Sequence, residues 1–279
     1  MPAVTAPLLA ADEPPPSRTI RGNTDCGCLL VCDHASARIP LALKGLGLSE
    51  RAKRSHLVCD HGAGALTLAV AAELKIPAVM CNYSRLVVDC NRSLDDPSAF
   101  LTFGDGMRIA GNCDLTEAER KQRADAIYWP YHRAVDAALA EIDTSDERAA
   151  LVSLHSFSPV LEGIQRPWDA GVLWDTDERL AEVFYAGLDD IPGVRVGDNV
   201  PYSGRSSADF TVDYHGESAG RAHVALEVRQ DHIATDAGVA VWAERLSDIL
   251  RTVLDDPGLR QPNPLRTERP ETLRAAAAS

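Results

Sequence analysis

Apolar and polar residues fall into blocks along this chain, and the period of the pattern changes from block to block. Cys28–Cys32 is an unbroken apolar run that stops at Asp33 and His34, as expected of a strand buried on both faces. Residues 66–74 have helical spacing and close at Lys75, just before Pro77. Residues 78–80 and 86–88 read as strands. Residues 116–142 form a long helical stretch, opened by a Thr116/Glu119 capping box. Pro130 should break or kink it. A strand over 149–154 ends at His155; a strand over 170–174, a helix over 177–187, a strand over 224–228 and a helix over 238–254 follow. Strands alternating with helices predict an α/β sandwich around a mostly parallel sheet. Ligands of such sheets bind beyond the carboxyl ends of the strands.

The ends of the chain break this pattern. Residues 1–21 are rich in Ala and Pro, with Pro14, Pro15 and Pro16 in a row, and are expected to be a flexible tail. Residues 261–279 carry Pro262, Pro264 and Pro270 and a short Ala run, and are expected to be a second tail. Between them, 22–260 shows neither repeat nor linker and reads as a single domain.

Charge narrows the partners. With 28 basic against 41 acidic residues the formal net charge is −13, and no basic stripe stands out. Nucleic acid and anionic membranes are therefore not expected partners. An anionic small molecule would need a local cationic pocket. Cys26, Cys28, Cys32, Cys59, Cys81, Cys90 and Cys113 are odd in number and confined to the first half. The CxC of Cys26 and Cys28 is weak as a metal signal, so a reducing compartment without disulfides is expected. Neither a secretory leader nor an apolar run of about 18 residues stands out, which adds to a cytoplasmic expectation.

Polar residues gather where the apolar runs end: Asp33 and His34, Asp60 and His61, Asp89 with Asn91 and Arg92, then His155 and Ser156. Glu227, Arg229 and Asp231 do the same late in the chain. Two neutral imidazoles with one carboxylate make an open catalytic zinc site, with water in the remaining position. A lone His at such a place is more often a hydrogen-bonded rim residue; His34 and His155 taken together with a carboxylate point to metal. Arg92 beside Asn91 offers paired planar donors to a carboxylate, and Asp89 could orient Arg92 or a metal-bound His. As a strand-end salt bridge the same residues would be structural. Glu227 lies inside an apolar strand, where burial raises a carboxyl pKa and suits a general base; pairing with Arg229 is its structural alternative.

These residues resemble the N-formylglutamate amidohydrolase family. The resemblance rests on CDHASARIP at 32–40, DHGA at 60–63, YSRLVVDCNR at 83–92, PYH at 130–132, LHSF at 154–157 and EVRQD at 227–231, in that order. It covers roughly 29–254, nearly the whole chain between the tails. That family is similar to the zinc-dependent exopeptidases and aspartoacylases. The resemblance implies a phosphorylase/hydrolase-like three-layer sandwich with a mixed, mostly parallel sheet. It also implies hydrolysis of a small N-acyl acidic amino acid and a place in amino-acid catabolism, histidine degradation in particular. Those relatives begin with His-x-x-Glu, whereas the third residue after His34 is Ala37, so the carboxylate ligand must come from elsewhere; Asp60 is the choice and Asp33 the reserve.

The site so implied has Zn²⁺, or another divalent metal, on His34, Asp60 and His155. Glu227 is the base, Arg85 a donor to the oxyanion, and Asn91 and Arg92 hold the substrate carboxylate. Residues 199–204 have the Gly and Pro of a loop over the site, or of an ordinary surface turn. His132 and His215 read as buried structural residues or as supports of the site. Three readings compete: a metallohydrolase of another small amide, a non-catalytic binder of acidic ligands, and a cysteine hydrolase. The sequence leaves the oligomeric state open.

Overall fold

The computed structural model describes residues 7–205 and 209–263. Its central sheet contains β1 (Ser17–Ile20), β2 (Cys28–Cys32), β3 (Ala78–Cys81), β4 (Ala150–Phe157), β5 (Ala170–Leu173), β6 (Val196–Asp198) and β7 (His223–Arg229). The spatial order is β1-β3-β2-β4-β7-β5-β6. Neighbours from β3 through β2 and β4 to β7 run parallel. β1 lies antiparallel to β3 and β5 antiparallel to β7, while β6 is parallel to β5. The sheet is mixed and mostly parallel, as the sequence led one to expect.

Helices α1 (Ala63–Leu74), α2 (Glu117–Arg123), α3 (Trp129–Ile142), α4 (Arg179–Asp189), α5 (Phe210–His215) and α6 (Asp236–Asp255) cover it. Alternation along the strands sends residues to opposite faces. Leu29, Val31 and Leu151 pack with Tyr131, Val135 and Leu139 of α3 on one face. Leu30, Val152 and Leu226 pack with Leu66 of α1, Phe184 of α4 and Trp242 of α6 on the other. Continuous apolar strands are thus explained by burial on both sides, each large side chain contributing about 1.5–3 kcal/mol. None of the described helices is long and apolar enough to cross a membrane.

Three expectations need correction. Residues 86–88 form no strand: the chain turns at 85–87, and side chains take the Leu86 and Val87 carbonyls instead of a strand ladder. Asn112 donates through Nδ2 to the Leu86 and Leu101 carbonyls, at 2.8 Å each. Arg123 donates through Nη1 to Val87 O (3.1 Å) and Asn112 Oδ1 (2.6 Å), and through Nη2 to Gly111 O (2.8 Å). Arg123 is buried, so Arg123→Met should leave these acceptors unpaired and destabilise the fold by about 3 kcal/mol, read as a lower denaturant midpoint.

Second, residues 7–21 are built onto the sheet instead of hanging loose. Leu8 is buried and β1 pairs along the edge of β3. Prolines cannot donate, but their carbonyls accept: Pro14 from the Tyr83 hydroxyl (2.7 Å), Pro15 from Asn82 Nδ2 (2.9 Å) and Pro16 from Asn82 N (2.9 Å). Of the expected C-terminal tail, 261–263 are described, with Asn263 N bonded to Gly220 O at 2.8 Å; residues 1–6 and 264–279 lie outside the described residues. Third, Pro130 does not end the helical stretch: it sits in the first turn of α3, and the departure from regular α geometry is a wider π-helical turn, Ala124–Tyr128, between α2 and α3.

Candidate active site and metal centre

The carboxyl ends of β2, β4 and β7 bring the candidate residues to one rim. His34 follows β2 by two residues. His155 lies in β4 and is in register with Glu227 of β7, so both side chains share a face. Asp60 comes from the loop before α1, held by its amide on the His34 carbonyl at 3.0 Å. The following turn requires Gly62. Its φ is 84°, and a Cβ there would stand 2.5 Å from the Ile233 carbonyl oxygen.

The hydrogen bonds give each histidine a back and a front. His34 Nε2 is 2.7 Å from Asp89 Oδ1. Its Nδ1 is buried without a hydrogen-bond partner and lies 3.4 Å from Asp60 Oδ2. His155 Nε2 meets Ser153 Oγ at 2.9 Å and Asp33 Oδ2 at 3.5 Å, while its Nδ1 is 2.9 Å from Asp60 Oδ2. A carboxylate on one ring nitrogen, with the other turned inward, is how metal-ligating histidines are oriented. One ligand atom from each of His34, Asp60 and His155 lies within 4.8 Å of the others, and all three residues are buried. Asp60 stands between the two Nδ1 atoms. Asp33, the reserve, sits behind His155 and accepts from the Thr211 hydroxyl at 2.6 Å.

Electrostatics follow from this packing. Burial raises the carboxyls of Asp33, Asp60 and Asp89, but His34, His155 and Arg85 outweigh it, and all three end well below the usual carboxylate range. Burial likewise lowers the imidazoles of His34 and His155, and their carboxylate partners reverse it, so both end raised. Glu227 differs. Its Oε2 is buried without a partner. Burial, countered in part by His155 and reinforced by Asp60 and Asp209, pushes it to about 8. The carboxyl is therefore basic for its type and faces the histidine cluster.

Arg85 spends most of its fork internally: Nε and Nη2 bond Asp89 Oδ2 at 3.0 and 2.7 Å, leaving Nη1 3.6 Å from Asp60 Oδ1. Asn91 Oδ1 accepts from Thr211 N at 2.9 Å, and Arg92 Nη1 donates to Asn91 O at 2.8 Å. Arg85, Asn91 and Arg92, with His34, Asp60, His155 and Glu227, line one cavity of about 480 Å³, ample for a small amino-acid derivative. Tyr202 and Ser203 of the 199–204 segment also line it. The segment closes on the sheet because Gly171 has no side chain; a Cβ there would meet Val200 O at 2.2 Å. His132 and His215 lie outside the cavity. His132 Nε2 binds the Cys90 carbonyl at 3.0 Å, and its Nδ1 meets His215 Nε2 at 3.0 Å.

The sequence reading missed Ser153, Thr211 and Asp209. Ser153 had a signal, two residues before His155 on the same strand face. The others sit in or beside loops without periodicity. Asp213, one helical turn beyond Asp209, is raised to about 7 by burial and then by Asp209. Its folded pKa lies above the unfolded one, so the stability present at low pH is lost as pH rises from about 4 towards 7. Asp213→Asn should therefore stabilise by about 2 kcal/mol at pH 8, after discounting for partial exposure, and by less at pH 5, in denaturant titrations at both. Four of the thiols are poor nucleophiles: burial raises Cys59 to about 12 and also pushes up Cys28, Cys32 and Cys90.

A model of the N-formylglutamate amidohydrolase family matches residues 26–234. A gene product of Agrobacterium tumefaciens of known structure is 34% identical, with a TM-score of 0.84 over 88% of this chain and 98% of that one. An N-formylglutamate amidohydrolase from Ralstonia eutropha shares the fold at 19% identity and a TM-score of 0.65, over 86% of this chain and 97% of that one. No curated protein sequence matches the chain.

Proposed function

Since the chain belongs to the N-formylglutamate amidohydrolase family, and so to the hydrolases acting on amides, we propose that its substrate is an N-acyl acidic amino acid such as N-formyl-L-glutamate and that it works with a divalent metal held by His34, Asp60 and His155. The observation that carries this reading is the pair of Nδ1 atoms facing Asp60, one of them orphaned, beside the unpaired carboxyl of Glu227. Two imidazoles and a carboxylate suit zinc, and on ligand type alone iron or cobalt. When bound, the cation supplies Lewis acidity and a water of lowered pKa.

The residues of the chain do the rest. Glu227 removes the proton of the attacking water and passes it to the leaving amine nitrogen as the carbon–nitrogen bond breaks, giving formate and the free amino acid. With a cation held by His34, Asp60 and His155, the raised pKa of Glu227 would fall, leaving its carboxylate available near neutrality. Arg85 Nη1 faces the position where negative charge develops on the acyl oxygen. Arg92 and Asn91 hold the α-carboxylate, and Asp33 and Asp89 keep the histidines in the required tautomers. The reading takes the protein to be cytoplasmic. A panel of N-formyl, N-acetyl and dipeptide substrates tests it. N-formyl-L-glutamate should give the highest kcat/KM; a dipeptide well ahead of every N-acyl amino acid would replace this reading with a peptidase.

A further inference from the structure

Helix α5 begins at an aspartate that does not cap it. An Asp at the N-cap ordinarily accepts from the amide two or three residues further on. Asp209 holds that position, with φ −115° and ψ 71°, yet its side chain makes no capping bond. The amide it would serve is taken by another residue: Thr211 N donates to Asn91 Oδ1 at 2.9 Å. Asp209 is thereby released from the helix end. It is 7% exposed and lines the cavity that holds His34, Asp60, His155 and Glu227. Its Oδ1 is buried without a hydrogen-bond partner among the described residues. A buried carboxyl so placed is costly, and burial raises its pKa against the pull of His155.

Its neighbours show which part of the cavity it borders. The Asn91 side chain approaches the carboxyl, and Arg92 lies within electrostatic reach. In the reading above these two residues hold the α-carboxylate. His155 and Glu227, at the reacting end, also lie within electrostatic reach. Asp209 therefore borders both the carboxylate clamp and the base. In an N-acyl amino acid the scissile nitrogen is bonded to the carbon that bears the α-carboxylate. The same nitrogen receives the proton from Glu227, so it must sit where these two regions meet. The ligand has few donors to offer there. Its acyl oxygen and its carboxylates only accept hydrogen bonds, and the amide N–H is its one donor.

We propose that Asp209 is the acceptor for the scissile N–H, turning the nitrogen so that its lone pair faces Glu227 as the carbon–nitrogen bond breaks. This inference rests on the N-acyl amino-acid reading above and deepens it: the substrate must be a secondary amide. No proton passes to Asp209. The acyl carbon gains the water oxygen, and the nitrogen keeps its own hydrogen and gains the proton that Glu227 took from the water. The released amine, once charged, faces the same carboxylate.

Wild type, Asp209→Ala and Asp209→Asn, each supplied with zinc, are compared on N-formyl-L-glutamate and its N-methyl counterpart, a tertiary amide without the N–H. Wild type should favour the secondary amide by about 100-fold in kcat/KM, the scale of a hydrogen bond to a charged group. The preference should shrink to about 3-fold in Asp209→Ala and recover in part in Asp209→Asn, whose amide oxygen still accepts. Loss of an unpaired carboxyl should not harm the fold. General damage lowers both rates together and leaves the preference unmoved; an unmoved preference overturns the assignment, as does wild type cleaving both amides equally well. If wild type cleaves neither, the proposed substrate falls instead. The acceptor is then read from calorimetric binding of L-glutamate against glutarate, which has no nitrogen. A preference for L-glutamate that disappears in Asp209→Ala upholds it. No preference in wild type, or one that survives the substitution, overturns it.

Discussion

Glu227→Gln is expected to lower kcat by about 1,000-fold, within the range for loss of a general base, while KM and metal content stay near wild type. The amide keeps the size of the side chain and its place in β7, in register with His155. It cannot accept a proton. The same change should leave stability unharmed or raise it. Glu227 is buried, its Oε2 has no partner, and burial raises its pKa, so its ionised form is a burden to the fold. Activity and stability moving in opposite directions would mark a residue kept for chemistry. Equal losses of both would mark a packing role. Stopped-flow or discontinuous assay of amine release, with a denaturant titration of each variant, reads the two quantities.

Asp60→Asn is expected to weaken metal binding by at least about 100-fold and to abolish turnover at ordinary metal concentrations. The carboxylate meets both imidazoles of the cluster and a guanidinium at the rim. Oδ2 meets His155 Nδ1 at 2.9 Å, accepts from Ser156 N at 3.2 Å and stands 3.4 Å from His34 Nδ1. Oδ1 faces Arg85 Nη1 at 3.6 Å. An amide in its place removes the negative charge between two imidazoles and a guanidinium, and offers N–H groups where acceptors are needed. Competition with a chromogenic chelator measures the affinity change. Affinity like wild type would shift the carboxylate ligand to another residue, with Asp33 the nearest candidate.

The sequence made the sheet legible because its strands are buried on both faces and so read as unbroken apolar runs, each with a polar stop. Those stops, His34, His155 and Glu227, are the residues the structure gathers, since parallel strands end at a common rim. Asp60 was legible as a carboxylate at a helix entrance once Ala37 left no ligand three residues after His34. The missed features share one cause. Leu86, Val87 and Val88 look like a strand, and only distant Asn112 and Arg123 reveal that their carbonyls are spent elsewhere. The N-terminal prolines look unstructured until Asn82 and Tyr83 supply the donors for their carbonyls.

The most direct test of the account is the rate of N-formyl-L-glutamate hydrolysis by purified protein before chelation, after chelation, and after return of zinc. The account predicts full loss and restoration, with about one equivalent of metal taken up per chain. Hydrolysis that continues unchanged after the protein has been stripped of metal would contradict it.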